Sequence, residues 1–188
     1  FGKIGMELWN EAHRRDLSPG RWRILMPVLD IKGSENLMKL GALMAESEHD
    51  LNMCALTVVP STGQVDAGTS GDFVDGIRQQ RRAILDHFIH YAVDRNVPMY
   101  TKTVTGPTLA DGIVNEIKND PNVKLLLMNW LEDHPGKDPI NQIAKKVIEE
   151  GKTSVGVLKD KGLDKFENLL VPVGGGHNSR LAIHLAND

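Results

Sequence analysis

The chain has 188 residues, 40% of them hydrophobic and 25% charged, and a formal net charge of −3 at pH 7. That length suits roughly one domain of about 100–200 residues, and the slight acidity excludes a generic nucleic-acid binder, whose phosphate contacts leave a basic footprint. The single cysteine, Cys54, excludes an internal disulfide and a cysteine zinc cluster and points to a reducing compartment.

No apolar run reaches the roughly 20 residues of a membrane span. Residues 1–23 also lack the apolar core of a signal peptide. A chain that opens on Phe1 rather than Met is expected to be a piece of a longer protein.

Residues 1–15 read as a helix: Ile4, Leu8 and Ala12 recur every four positions, with Trp9 beside them. Lys3, Arg14, Arg15, Arg21 and Arg23 outweigh Glu7, Glu11 and Asp16. That modest excess suits a solvated helix packed on its own domain. It also suits a segment beside the cytoplasmic face of a membrane. Ser18-Pro19-Gly20 breaks the helix.

A first strand spans Trp22–Leu29, continuously apolar after Arg23, as in a parallel strand buried on both faces. Gly33-Ser34 opens a helix to about Ser47, with Ser34 as N-cap and Leu37, Leu40, Leu43 and Met44 as its buried face. Leu51–Val59 is the second strand, holding Cys54 as a buried, inert thiol. Residues 61–71, rich in Gly, Ser and Thr, are a loop. A long helix follows over Gly71–Arg95, with Phe73, Ile77, Ile84, Leu85, Phe88 and Val93 as its stripe.

The third strand is Pro98–Val104, followed by a helix from Gly106-Pro107-Thr108 to Asn119 with Leu109, Ile113 and Ile117 on one face. The fourth strand is Val123–Trp130, and a polar loop covers 131–138. The fourth helix spans Pro139–Glu150, ended by Gly151 at the C′ position. Thr153–Leu158 is the fifth strand. The strict alternation predicts a three-layer α/β/α domain, a parallel five-stranded sheet with helices on both faces.

The opening pattern then returns. Ile24-Leu25-Met26-Pro27-Val28 reappears as Leu169-Leu170-Val171-Pro172-Val173, and Ser34 as Ser179. Both anchors are 145 positions apart (172 − 27 and 179 − 34), an internal repeat of domain length.

The Pro-Val strand, the Leu/Ala-periodic helix, the long second helix and this repeat resemble the universal stress protein fold (adenine nucleotide alpha hydrolase-like) in tandem. A narrower similarity rests on Pro107-Thr108-Leu109-Ala110-Asp111-Gly112-Ile113, Leu125-Leu126-Leu127-Met128-Asn129-Trp130, and Val155–Leu163 leading into Asn168–Gly176. These stretches look like the cytosolic C-terminal tandem domain of prokaryotic amino acid-polyamine-organocation superfamily transporters. That superfamily includes amino-acid permeases and cation-chloride cotransporters. The resemblance implies a juxtamembrane connector helix over 1–21, a universal stress protein-like domain over 22–160, and over 168–188 the first strand and helix of a second, incomplete copy. It further implies a non-catalytic regulatory and oligomerisation role on the cytoplasmic side of the cell membrane, as part of a membrane protein. Its partners would be the membrane-embedded part of the same transporter and a second copy in a homodimer, paired through the fifth strand. The competing reading is a free-standing universal stress protein that binds ATP, AMP or another nucleotide.

Adenine-binding members carry an Asp straight after the first strand and a Gly-x-x-Gly-x9-Gly-Ser/Thr stretch after the fourth. Glycines there let backbone N–H groups approach phosphates before a helix N-terminus. Here Leu29 follows Pro27-Val28 and Asp30 comes one place late. The loop Leu131-Glu132-Asp133-His134-Pro135-Gly136-Lys137-Asp138 has one glycine and three acids. The usual ATP mode is therefore not expected. If a nucleotide such as ATP, AMP or cyclic di-AMP binds, the implied residues are Leu29, Asp30, Val58, Asn129, Gly136 and Lys137.

Other constellations are weaker. Gly174-Gly175-Gly176-His177-Asn178 follows a strand but lacks the P-loop pattern. Glu132-Asp133-His134 are adjacent and suit a solvated loop better than a metal. His87 and His90, near Asp86 and Asp94, share a helix face and read as solvated before they read as ligands. The basic run Arg78-Gln79-Gln80-Arg81-Arg82 reads as a surface patch paired with Asp75 and Asp86, or facing anionic lipid. No nucleophile or acid–base motif is present, so no catalytic residue, resident cofactor or metal is assigned.

Overall fold

Long aliphatic and β-branched runs become strands, and the amphipathic segments between them become helices. The computed structural model describes residues 22–47, 51–61, 70–130 and 140–162, with 179, 180, 182, 183 and 186 near the C-terminus. The elements are β1 (Trp22–Pro27), α1 (Ile31–Ser47), β2 (Leu51–Pro60), α2 (Ser70–Asp94), β3 (Met99–Gly106), α3 (Leu109–Asn119), β4 (Val123–Asn129), α4 (Ile140–Lys146) and β5 (Ser154–Leu158). A π-helical turn, Val147–Gly151, extends α4.

All neighbouring strands pair in parallel, in the order β3-β2-β1-β4-β5. Parallel pairing forces a crossover between strands, and helices supply each one. β1 lies in the middle, and its side chains alternate between two cores. Ile24 and Met26 face α1 and α2, among Leu37, Met38, Ile84, Leu85 and Phe88. Leu25 faces α3 and α4, among Ile113, Val114, Ile117, Ile143 and Val147. Most of these side chains are fully buried, each worth about 1.5–3 kcal/mol relative to exposure. The predicted three-layer α/β/α arrangement is therefore the observed one.

Several local expectations are corrected. α1 begins at Ile31, with Asp30 rather than Ser34 at its cap; Ser34 is instead 2% exposed inside the first turn. Leu43 and Val93 were expected on buried faces but are 49% and 51% exposed, while Ala42 and Ala92 occupy the inward positions. Small side chains at a close helix–sheet approach leave the larger neighbour facing water. Gly151 does not take the left-handed position. Lys152 does, at φ 53°, because the π turn carries an extra residue. β1 ends at Pro27, before Leu29, where the chain bends into α1.

At the N-terminal end of the sheet, the Arg23 guanidinium pairs with Asp120 and lies 5.5 Å from the centroid of the Tyr100 ring. Lys102 reaches Glu116 at 2.7 Å, and Glu116 is 3% exposed. Cys54 is fully buried beside Tyr100, and burial pushes its thiol up to about 12, where it carries no thiolate.

The connector helix expected over 1–21 lies outside the described residues, as do Gly136, Lys137, residues 132–134 and the Gly174–Asn178 stretch. Of the second copy expected over 168–188, Ser179, Arg180, Ala182, Ile183 and Ala186 are described and helical. Among the described residues no helix is long and apolar enough to cross a membrane.

Candidate ligand-binding cleft at the switch point

From β1 the chain crosses to α1 on one face of the sheet, while from β4 it continues to α4 on the other. Between the C-terminal ends of β1 and β4 the two connections part, which is where open α/β sheets leave a crevice. Pro27, Leu29, Asp30, Ser34, Leu109, Met128 and Asn129 line it. Its free volume is about 30 Å³, room for one or two water-sized groups.

The turn at its head is held from three directions. Asp30 Oδ1 accepts from the Gly33 N–H at 2.5 Å, closing the first turn of α1. A Cβ on Gly33 would stand 2.9 Å from that oxygen, so glycine is what lets the cap close. Asn129, from the end of β4, donates through Nδ2 to the Gly33 carbonyl. Arg81, from α2, donates through Nη1 to the Leu29 carbonyl at 2.5 Å. Two atoms of these side chains, Asn129 Oδ1 and Arg81 Nε, are buried without a hydrogen-bond partner. Burial pulls the Arg81 guanidinium below its ordinary pKa, against the opposing attraction of Asp30.

The opposite wall is the start of α3. Thr108 caps it, its Oγ1 accepting from the Asp111 N–H at 3.1 Å and donating to Asp111 Oδ2 at 2.7 Å. Lys146 donates to Asp111 Oδ1 at 2.5 Å, and these two hydrogen bonds, Lys146's first, hold the Asp111 carboxyl below its usual range. α3 presses onto β2 so closely that a Cβ on Gly112 would come 2.6 Å from Val58 Cγ1. Beyond Asn129, Trp130 N–H donates to the Leu158 carbonyl at 2.7 Å, and the Lys159 ammonium lies 5.0 Å from the Trp130 ring centroid.

The structure thus brings Leu29, Asp30 and Asn129 together at the cleft. Val58 packs under Gly112 instead of lining it. Gly136 and Lys137 lie outside the described residues. Sequence reasoning missed Ser34 as a lining residue, having placed it at the helix cap. It also missed Arg81, whose inward turn nothing in the run Arg78–Arg82 signals. The run was expected to pair with Asp75 and Asp86; among the described residues neither Arg81 nor Arg82 pairs with Asp86, Arg81 donating instead to the Leu29 carbonyl, and the side chains of Asp75 and Arg78 lie outside the described ones. His87 and His90 are both exposed, His87 edge-on to Phe88 and His90 Nδ1 2.6 Å from the Asp86 carbonyl. No group of three metal-ligating side chains forms among the described residues.

No protein-family model and no curated protein matches the chain. Solved structures do. The universal stress protein UspA from Lactobacillus plantarum is 16% identical, with a TM-score of 0.60 over 74% of this chain and 99% of that one. A universal stress protein from Archaeoglobus fulgidus in complex with dAMP is 12% identical, with a TM-score of 0.53 over 73% and 98%. A universal stress protein family protein from Arabidopsis thaliana with AMP bound is 15% identical, with a TM-score of 0.50 over 75% and 93%. At these identities the likeness shows the fold, and the fold of this chain is the universal stress protein-like one.

Proposed function

We propose that this chain is a non-catalytic regulatory and oligomerisation domain on the cytosolic side of a membrane transporter of the amino-acid or cation-chloride type. The observation that carries the non-catalytic, regulatory part is the state of Asp30. One oxygen of this carboxylate at the head of the cleft accepts from the Gly33 N–H, so Asp30 serves as the cap of α1, a structural use that supports a scaffold reading. The sequence similarity over 107–176 supports the transporter context. The domain would act by binding one conformation of its partner better than another, which shifts their equilibrium. Among the described residues β5, Ser154–Leu158, has no strand on its outer edge and carries no charge, with Val157 42% exposed. A second copy pairing there removes an edge that would otherwise invite aggregation.

Sequencing the coding region upstream of Phe1 tests the transporter context. Several apolar spans of about 20 residues each are expected; a start codon directly before Phe1 would overturn it. A second reading, nucleotide binding by a free-standing protein, is favoured by the dAMP- and AMP-bound neighbours and by the unpartnered Asn129 Oδ1 at the same cleft. An ATP-induced rise in melting temperature that disappears on substituting the 131–138 loop would establish that reading over the first.

A further inference from the structure

Arg81 lies in the basic run of α2, yet it differs from its neighbours. Gln79, Gln80 and Arg82 are exposed, whereas Arg81 turns inward to the Leu29 carbonyl. A guanidinium offers five N–H donors. Here one donates to a neutral carbonyl, and the Nε–H is buried with no partner. Arg81 as a whole is half-buried, so its charge stays partly solvated, but a buried N–H left without a partner still forfeits the hydrogen bond it made to water. Among the described residues Arg81 forms no ion pair; Asp30 attracts it without pairing, and one oxygen of that carboxylate accepts from the Gly33 N–H. The exposed Lys32 and the N-terminal end of the 17-residue α1 add further positive charge to the same turn. Leu29 joins Arg81 to the cleft, since its carbonyl holds the guanidinium while the residue lines the cavity.

We propose that Arg81 is the anion-binding residue of this cleft, taking an oxyanion of a small ligand at the lip formed by Leu29 and α2. Phosphate monoesters, free phosphate and carboxylates share the required chemistry, two oxygens that a planar guanidinium edge can hold together. The unpartnered Asn129 Oδ1 would accept from a hydroxyl or amino group on the same ligand. Arg81 is not among the residues to which the sequence resemblance assigns phosphate binding through the loop before α4. The proposal holds whether or not the domain is joined to a transporter.

The test follows the Arg81 Nε–H resonance in ¹H–¹⁵N spectra of the whole chain, titrated separately with inorganic phosphate, AMP and acetate. The resonance is assigned by its loss in Arg81→Gln. At least one of the three is expected to shift it saturably at millimolar concentration or below. Arg81→Gln should weaken that binding by about tenfold or more, while Arg82→Gln leaves it unchanged. A response to phosphate alone names the free ion, to AMP alone a phosphate monoester, and to acetate a carboxylate; each supports the site. No saturable shift with any of the three overturns the proposal, as does binding that Arg81→Gln leaves intact. If Arg81→Gln does not fold, Arg81→Lys carries the same comparison, because it keeps the charge but loses the two-pronged edge.

Discussion

Two arginines sit at opposite ends of the parallel sheet, and they are held differently. Arg23, at the start of β1, has a carboxylate partner in Asp120 and an aromatic face in Tyr100. Burial, the largest single influence, would lower its pKa, but the hydrogen bond it donates to Asp120 and the charges of Tyr100, Asp120 and Cys54 together outweigh burial, and the pKa ends above the ordinary value. Arg81, beyond the C-terminal end of β1, has one backbone carbonyl, and there burial wins. The N-terminal end is therefore the one where the arginine has a carboxylate, flanked by Lys102–Glu116 and Lys118–Glu150, although Arg23 Nε, like Arg81 Nε, is buried without a hydrogen-bond partner. The C-terminal end keeps unspent donors and acceptors beside a cleft. In a parallel sheet all strand C-termini point the same way, so the end with the open turns is the one available for recognition.

Substitutions can sharpen or break this contrast. The largest effect is expected from Arg23→Gln, which strands Asp120, 8% exposed, without its cation. Urea unfolding should show a loss of about 3 kcal/mol; a change no larger than that of Arg81→Gln would erase the distinction between the two ends. Gly112→Ala comes next. The added methyl meets Val58 at 2.6 Å, and overpacking of this kind costs about 1–3 kcal/mol. Pairing it with Val58→Ala should recover most of the loss, and additive losses would mean the two residues do not touch.

Asp30→Ala removes the α1 cap and should cost about 1 kcal/mol, read by thermal unfolding, without changing the N-terminal cluster. Arg81→Gln should alter stability by less than about 1 kcal/mol, since the lost hydrogen bond is offset by no longer burying a poorly paired charge. The smallest effect belongs to Asp111. Its pKa is depressed in the folded state, so its contribution is present above the unfolded carboxylate value. It is lost as pH falls through the folded one. Asp111→Asn should flatten the acid limb of the stability–pH curve and leave the neutral limb unchanged.

The fold was largely legible in the residues because strand and helix alternate without interruption, and continuous apolar runs such as Leu125–Met128 have few alternatives to a buried parallel strand. The corrections cluster where local chemistry competes. Asp30 and Ser34 both suit a cap, and the deciding contact is with Gly33. Leu43 and Val93 read as core by hydrophobicity, but the helices turn the adjacent Ala42 and Ala92 inward. The cleft was only partly legible. Leu29, Asp30 and Asn129 are marked by their places at strand ends. The inward turn of Arg81 depends on a carbonyl 52 positions away, a relation no spacing rule reports.

The proposed recognition at the C-terminal end uses its own polar turn in place of the usual ATP mode. The melting temperature of the 188-residue chain, with and without ATP, tests it most directly across the wild type, Arg81→Gln and Lys137→Ala. A ligand at one hundred times its dissociation constant stabilises a fold by about 2.7 kcal/mol, a shift of several degrees. The account predicts that ATP stabilises no more than inorganic phosphate does, and that any rise vanishes in Arg81→Gln and persists in Lys137→Ala. A large ATP-specific rise, lost in Lys137→Ala and kept in Arg81→Gln, would contradict it.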